Sequence, residues 1–225
     1  MTGLIVLIFA AIHVSLVIYL LRQPSLNAAT RAGFLTLLLC AMAYDNLVVG
    51  SGMWWFDEAW FASANLPRFY LHVLILPFLT MFTYSLVTAA QPALAQSRLF
   101  MVLCAAVTVG ALGFGISHEL LSIELAEKTL LGLSRYTNAN GSLPLATIFT
   151  NLFTMLLAIY LWRKSGWPWL CLGALFIFLV NGASAGQPWG FLAGNLAEIV
   201  FVFSLIKTHL HFASSGCLSR QAVAL

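Results

Sequence analysis

Seven long apolar runs follow one another along this chain, and short polar segments separate them. Each run approaches the roughly 20 residues that an α-helix needs to cross the hydrocarbon core of a bilayer. Only 8% of the residues are charged, whereas a soluble domain carries about 25%. The sequence therefore predicts an all-α, polytopic integral membrane protein with seven transmembrane helices in one bundle. The predicted spans are about 3–22, 31–53, 67–90, 98–116, 144–162, 167–184 and 190–212, followed by a cytoplasmic tail at 213–225.

The basic residues are divided unevenly between the two ends of the predicted bundle. The side with the connections after spans one, three and five, together with the tail, holds Arg22, Arg31, Arg98, Arg163, Lys164, Lys207 and Arg220. The other side holds Arg68, Lys128 and Arg135. Because cytoplasmic loops carry the excess of Lys and Arg, the N-terminus is predicted outside and the C-terminus inside. We expect a multi-pass protein of the cell membrane, with a bacterial inner membrane as its setting.

The connection at about 117–143 is the one long loop between the predicted spans. Its apolar residues recur at helical spacing, and charged residues lie between them: the apolar set is Leu120, Ile123, Ala126, Leu130 and Leu133. This pattern predicts an amphipathic helix that lies in the membrane interface. Two roles are open for such a helix: a plain surface element, or a lid over a cavity that faces outward.

Asp45 lies inside span two, within a segment that is otherwise strongly apolar. An unpaired charge at the centre of a membrane helix costs at least roughly 2.5 kcal/mol, and such residues usually face a bundle interior and mark a site. Asp45 is therefore predicted to have partners elsewhere in the chain. Arg68 lies at the mouth of span three, and His72 is one turn deeper on the same face because four residues separate the two.

Other polar residues lie at a similar depth, as estimated from the helical rise of 1.5 Å per residue. Span five contributes Asn151, span six contributes Asn181, and span seven contributes Asn195 and Glu198. All are in the outer halves of their spans, whereas the inner halves are nearly all apolar. The sequence therefore predicts one polar cavity near the outer face, lined by Asp45, Asn46, Arg68, His72, Asn151, Asn181, Asn195 and Glu198.

Two carboxylates, an imidazole and a guanidinium are the side chains that general acid-base catalysis uses. The predicted catalytic residues are Asp45, His72 and Glu198. The predicted substrate-binding residues are Asn46, Arg68, Asn151, Asn181 and Asn195. The alternative is that these polar groups only hydrogen-bond one helix to another, at roughly 0.6 kcal/mol for each pair. His13, alone in span one, is predicted to be structural.

The metal and nucleophile signals in the sequence are weak. One His and two carboxylates could bind a divalent cation, but no short-range ligand motif such as HExxH is present. We therefore expect no cofactor and leave a divalent metal open. The sequence contains no GxSxG motif, the pattern that would indicate a nucleophilic serine. No basic run interleaved with aromatic residues indicates a nucleic-acid partner, so the expected partners are membrane lipids and a hydrophobic small molecule.

Four stretches of the chain resemble those of an uncharacterised group of small bacterial seven-span membrane proteins. They are Tyr44-Asp45-Asn46-Leu47, Pro67-Arg68-Phe69-x-Leu71-His72, Trp162-Arg163-x-x-Gly166-Trp167-Pro168-Trp169 and Gly194-Asn195-x-x-Glu198. In its plan, with one acid in span two and another in span seven, the chain is also similar to the membrane-bound terpene cyclases of meroterpenoid pathways. That resemblance implies that Asp45 and Glu198 protonate a substrate, although the acid types are exchanged relative to that family.

Three functions are consistent with these residues. The first is an enzyme that performs acid-base chemistry on a hydrophobic or lipid-like substrate, an isoprenoid among the candidates. Such an enzyme would be a membrane-embedded lyase or isomerase of the cyclase type, or a lipid hydrolase. The second is a carrier or receptor that binds a small solute or protons in the same cavity. The third is a structural or assembly protein. The sequence does not determine the oligomeric state.

Overall fold

The computed structural model describes the backbone of residues 1–23, 29–141 and 144–223, and the side chains of residues 1–23, 30–141 and 144–213. The described elements are mostly helices, with one β-hairpin. In chain order they are α1 (Thr2–Leu21), α2 (Ala29–Trp55), α3 (Phe61–Ile75), a 3-10 turn (Leu76–Phe78), α4 (Leu79–Ala90), α5 (Pro92–Ala95), α6 (Arg98–Gly115), a π-helical turn (Ile116–Leu120), β1 (Leu125–Leu130), β2 (Leu133–Asn138), α7 (Leu145–Ser165), α8 (Trp169–Ser184) and α9 (Gly190–Val223).

Six helical stretches of the described chain are long and apolar enough to cross a membrane. They are Thr2–Leu21, Thr30–Trp55, Phe61–Ala90, Arg98–Leu120, Leu145–Ser165 and Gly190–Ala213. The seventh apolar helix, α8, has only 16 residues. It therefore rises about 24 Å, which is less than the ~30 Å hydrocarbon core of a typical bilayer. By length and composition, these helices are those of an integral membrane protein.

The helices pack as a bundle with a polar half and an apolar half. We call the end that carries the hairpin β1–β2 the hairpin end. Side chains that are completely buried fill the half away from it: Leu35, Leu39, Leu79, Leu205 and Ile206. Near the hairpin end, α1 approaches α2 closely at two glycines, because a Cβ on Gly3 would lie 2.9 Å from the Gly50 carbonyl oxygen. Packing is therefore densest in the apolar half, and the cavities lie toward the hairpin end.

The prediction of an amphipathic helix in the loop at 117–143 is wrong, because β1 and β2 form an antiparallel hairpin there. Leu131 and Gly132 have φ angles of 52° and 72°, the backbone of a two-residue turn whose twist matches that of the paired strands. Leu130 and Leu133 pair directly across this turn. These two residues, three apart, thus share one face of the hairpin, and Ala126 and Leu130, four apart on β1, share a face because strand side chains alternate. Both spacings also occur along one face of a helix. The bundle is therefore not purely α-helical.

Several helix ends differ from the predicted spans. The third stretch begins at Phe61 rather than near residue 67, so Pro67 is inside α3. Pro77 lies in the 3-10 turn that joins α3 to α4, as expected for a residue that cannot donate a backbone hydrogen bond to a continuous helix. The π-helical turn carries the fourth stretch on to Leu120. Helix α9 continues to Val223 without a break where the tail at 213–225 was predicted, and the Arg220 side chain lies outside the described residues.

Candidate functional site

Asp45 on α2 and Arg68 on α3 form an ion pair near the hairpin end. The Arg68 Nε donates to the Asp45 Oδ1 at 2.8 Å, and the exposed fractions of the Arg68 and Asp45 side chains are 9% and 34%. The Arg68 Nη1 also donates to the Asn65 Oδ1 at 2.7 Å and to the Tyr136 carbonyl oxygen at 3.3 Å. The partner predicted for Asp45 is therefore present. Arg68 thus directs three of its five N–H donors at the protein itself.

His72 lies one turn further along α3 and connects this helix to α7. Its Nε2 is 2.9 Å from the Thr147 hydroxyl oxygen. A hydroxyl can donate or accept a hydrogen bond, so Thr147 can satisfy either tautomer of the imidazole. The ring also lines the same cavities as Asp45. His72 thus has both a fixed orientation and access to whatever occupies the cavity.

A large cavity, with a volume of about 740 Å³, lies between α2, α3, α7, α8, α9 and the hairpin. We call it the main cavity. Six of the eight predicted cavity residues line it: Asp45, His72, Asn151, Asn181, Asn195 and Glu198. Its volume falls within the 300–1,000 Å³ that is usual for small-molecule sites. The chain thus brings residues from five helices, 153 positions apart at the extremes, to one chamber.

A smaller cavity of about 150 Å³ adjoins the main cavity, with which it shares lining residues, and lies toward the apolar half of the bundle. We call it the inner cavity. It adds Arg68 to the lining and shares six residues with the main cavity: Asp45, His72, Thr147, Asn151, Asn181 and Glu198. The rest of its wall is mostly apolar: Leu38, Ala41, Met42, Leu71, Leu76, Ile177 and Phe201. The polarity of the lining therefore falls from the main cavity to the inner cavity.

Asn46 is the predicted cavity residue that lines neither cavity. Its side chain is completely buried, and its Nδ2 donates to the Met42 carbonyl oxygen at 2.9 Å. Successive residues on a helix point in different directions, so Asp45 faces the cavity while Asn46 faces a helix contact. Depth estimated from the sequence could not distinguish these two neighbours.

Glu198 on α9 lines both cavities. Its carboxylate forms no hydrogen bond or ion pair with the described residues. One turn away on α9, the Asn195 Nδ2 donates to the Phe191 carbonyl oxygen at 2.8 Å. Asn181 can approach α9 closely because a Cβ on Gly194 would lie 2.9 Å from the Asn181 Oδ1. Of the two predicted carboxylates, Asp45 thus has a cationic partner, whereas Glu198 remains available to a ligand.

Three charged residues near the site were not predicted to belong to it. Lys128 and Arg135, on opposite strands of the hairpin, line the main cavity. Glu119, in the π-helical turn, lines a third cavity of about 310 Å³ together with Asp45 and Arg68. In the sequence, all three fall in the long loop that was predicted to be an amphipathic helix, either a surface element or a lid. The Leu131-Gly132 turn, with Leu130 and Leu133 on either side of it, is the local signal that could have placed the hairpin residues.

Two further predictions from the sequence concern a metal site and the role of His13. Among the side chains of residues 1–23, 30–141 and 144–213, no three His, Cys, Asp or Glu residues come together as a metal site. His13 is completely buried on α1, and its Nδ1 lies 2.8 Å from the Phe9 carbonyl oxygen of the same helix. That position agrees with a structural role for His13.

Comparisons with known proteins yield no relative for this chain: no family model matches it, and neither a curated protein nor a solved structure matches it significantly. The resemblance to membrane-bound terpene cyclases therefore remains one of general plan. Function has to be argued from the cavity itself.

Proposed function

We propose that this protein is a membrane enzyme that transfers protons to and from a hydrophobic or lipid-like substrate in the main cavity. The observation that carries the proposal is the pair of carboxylates, Asp45 and Glu198, which reach one chamber from α2 and α9 in different surroundings. Two titratable groups whose environments differ are the usual arrangement for one acid and one base. The largely apolar wall fits a substrate that enters from the bilayer.

The two carboxylates have different proposed roles because their partners differ. Asp45 forms an ion pair with the Arg68 guanidinium and is the proposed base. Glu198 has no cationic partner among the described residues and is the proposed acid. His72, fixed by Thr147, is the proposed relay that returns the proton from the base to the acid after turnover.

The proposed reaction is an isomerisation or a cyclisation. Glu198 adds a proton to one carbon of an unsaturated substrate, and Asp45 removes a proton from another carbon. The composition of the substrate does not change, so neither an oxidant nor a reductant is needed. This reaction also needs no nucleophilic side chain, in agreement with the absence of a recognisable nucleophile motif in the sequence.

Turnover in heavy water tests this function. Purified protein in nanodiscs is incubated in D₂O with the total lipid extract of its source cells, and the products are analysed by mass spectrometry. We expect a lipid isomer that carries one added deuterium, and we expect Asp45→Asn and Glu198→Gln each to lower its formation at least 100-fold, the lower range for general acid-base catalysis.

Asn46→Ala is the matched control, because Asn46 adjoins Asp45 but lies outside the cavities. It is expected to retain turnover if it folds, which gel filtration and a thermal melt establish for all variants. Equal product formation by the wild type and both carboxylate variants would contradict the enzyme. So would the absence of any deuterated product, which is what a carrier would give.

We further propose that α8 completes a set of seven spans and that the hairpin end faces the outside of the cell membrane. The support is the excess of Lys and Arg at the other end, the feature that marks a cytoplasmic side. α8 packs along α9, and its short length requires local thinning of the bilayer or exposed interfacial ends.

Labelling of single introduced cysteines in intact cells tests this orientation. Lys128 on β1 and Lys164 near the end of α7 are both exposed lysines at opposite ends of the bundle. We expect Lys128→Cys to react with a membrane-impermeant maleimide in intact cells, and Lys164→Cys to react only after permeabilisation. The labelling of the unsubstituted protein is subtracted. The reverse pattern would show that the hairpin end is cytoplasmic.

A further inference from the structure

Two like charges face each other across the hairpin. Lys128 on β1 and Arg135 on β2 are directly opposite in the strand register. Like charges in this position destabilise an antiparallel pair, so the stability of the hairpin does not explain why both residues are basic. Both residues line the main cavity, as does Leu130 on the same face of the hairpin. The pair therefore points its charge into the chamber rather than away from the protein.

The guanidinium of Arg135 is only partly satisfied by the protein. Its Cζ lies 4.4 Å from the centre of the Phe191 ring, and its Nε is buried without a hydrogen-bond partner in the described chain. Burial, and then the Arg68 charge, lower the pKa of Arg135, while Asp45 raises it to a smaller extent. A buried charge that lacks a counter-ion is costly, and an anion from outside the chain would stabilise it.

The acidic residues on the hairpin do not provide this anion. Glu127 pairs across the strands with Tyr136, on the opposite face from Lys128, because successive side chains of a strand alternate. The nearby Asp45 is already bonded to Arg68. No ion pair joins Lys128 or Arg135 to an acidic residue among residues 1–23, 30–141 and 144–213. The main cavity thus offers two adjacent cations and an unfilled volume next to them.

The linings of the two adjoining cavities change from charged to apolar with depth. The cationic pair lies at the hairpin end, the Asp45 and Glu198 carboxylates come next, and the inner cavity continues between apolar side chains. On α2, Leu38 lies two turns from Asp45, or about 10 Å at 1.5 Å per residue. A molecule that follows this sequence has a charged head, a reactive middle and an apolar tail.

We propose that the main cavity binds a single-chain anionic amphiphile, whose phosphate-type headgroup lies between Lys128 and Arg135 and whose tail enters the inner cavity. This inference rests on the proposed function and identifies its substrate class. A phosphate accepts hydrogen bonds from a guanidinium and an ammonium at the same time. With the headgroup at the hairpin, the hydrocarbon next to it lies beside Asp45 and Glu198.

Binding of dodecyl phosphate to the protein in a neutral detergent tests this proposal without any turnover. Two further probes separate the sources of affinity: inorganic phosphate has the head alone, and dodecyltrimethylammonium has the same tail with the opposite charge. We expect dodecyl phosphate to bind at least tenfold more tightly than either, as measured by microscale thermophoresis. Equal binding of inorganic phosphate would identify a free anion as the ligand and overturn the amphiphile.

The variant Lys128→Gln/Arg135→Gln is expected to weaken dodecyl phosphate binding at least tenfold. Its matched control is Arg163→Gln/Lys164→Gln, which removes the same charge from two exposed residues at the other end of the bundle. An equal loss in both would show unspecific charge attraction and overturn the site. Lys128→Gln alone, at an exposed residue, is expected to weaken binding at least threefold and serves if the double variant does not fold.

Glu198→Gln separates this proposal from the proposed function. The variant keeps the cationic pair and is expected to bind dodecyl phosphate within threefold of the wild type. If it binds normally but the wild type shows no deuterated product, the site is an amphiphile-binding site and the enzyme fails. If the wild type turns over a neutral lipid and does not bind dodecyl phosphate, the enzyme stands and this headgroup site fails.

Discussion

Replacing Arg68 by glutamine is expected to lower the free energy of unfolding by about 2 kcal/mol, within the roughly 1.5–3 kcal/mol of a hydrogen bond to a charged group, because the Asp45 side chain is 34% exposed and partly hydrated. The Arg68 side chain is only 9% exposed. Its loss leaves the Asp45 carboxylate without a cation, and removes the donor to Asn65 and to the Tyr136 carbonyl oxygen. Unfolding in mixed micelles with increasing SDS, followed by tryptophan fluorescence, measures the change.

Two comparisons show whether the ion pair is the cause. Arg163→Gln removes an exposed arginine from the other end of the bundle and is expected to change the unfolding free energy by less than about 0.5 kcal/mol. Asp45→Asn combined with Arg68→Gln is expected to recover part of the loss, because no unpaired carboxylate remains. If Arg68→Gln and Arg163→Gln unfold alike, the pair contributes nothing to stability.

Replacing Gly173 by leucine is expected to destabilise the fold by about 3 kcal/mol, at the upper end of the usual cost of overpacking. Gly173 lies where α8 packs on α9, and a Cβ there would overlap the Ser204 hydroxyl and lie 2.6 Å from the Ser204 Cβ. Ser204 is buried, and its hydroxyl donates to the Phe201 carbonyl oxygen at 2.6 Å. The two helices would have to separate, and Glu198 would move with α9.

Gly113→Leu on α6 is the matched control, because a Cβ at Gly113 meets nothing within 4 Å. It is expected to be neutral or to stabilise α6 by up to about 1 kcal/mol, since leucine has the higher helix propensity. The same SDS unfolding applies to both variants. In a second pair, Ser204→Gly is expected to restore part of the stability lost in Gly173→Ala. Equal stability of Gly173→Leu and Gly113→Leu would contradict the close contact of α8 with α9.

The hydrogen-bond partners of the polar residues distinguish a functional site from a purely structural role. Asn46 and Asn195 donate to carbonyl oxygens of their own helices, so they do not join one helix to another in the described structure. Asp45 does connect α2 to α3 through Arg68. Glu198 forms no such bond with the described residues. A structural role thus explains the ion pair but does not explain the Glu198 carboxylate on α9. Glu198 is therefore the residue that most strongly favours a functional site.

Apolar run length and the cost of a buried charge could be obtained from the sequence alone. The long runs predicted the membrane-compatible helices because a chain in hydrocarbon has to satisfy its backbone hydrogen bonds internally. Counting residues from the ends of the spans placed Asp45, His72, Asn151, Asn181 and Glu198 at one depth, and the structure places all five around the main cavity. Depth follows from the helical rise, so it needs no tertiary information.

Direction around a helix, and pairing across a turn, were decided only by the tertiary structure. Asp45 and Asn46 have nearly the same depth, yet one faces a cavity and the other a helix contact. Lys128 and Arg135 face the cavity because the positive φ angles of Leu131 and Gly132 close a hairpin. A helix brings residues three apart to one face, and a two-residue turn does the same for the two residues that flank it, so local periodicity could not separate the two structures. The packing of the hairpin against α2 and α9 does separate them, and it is visible only in the tertiary structure.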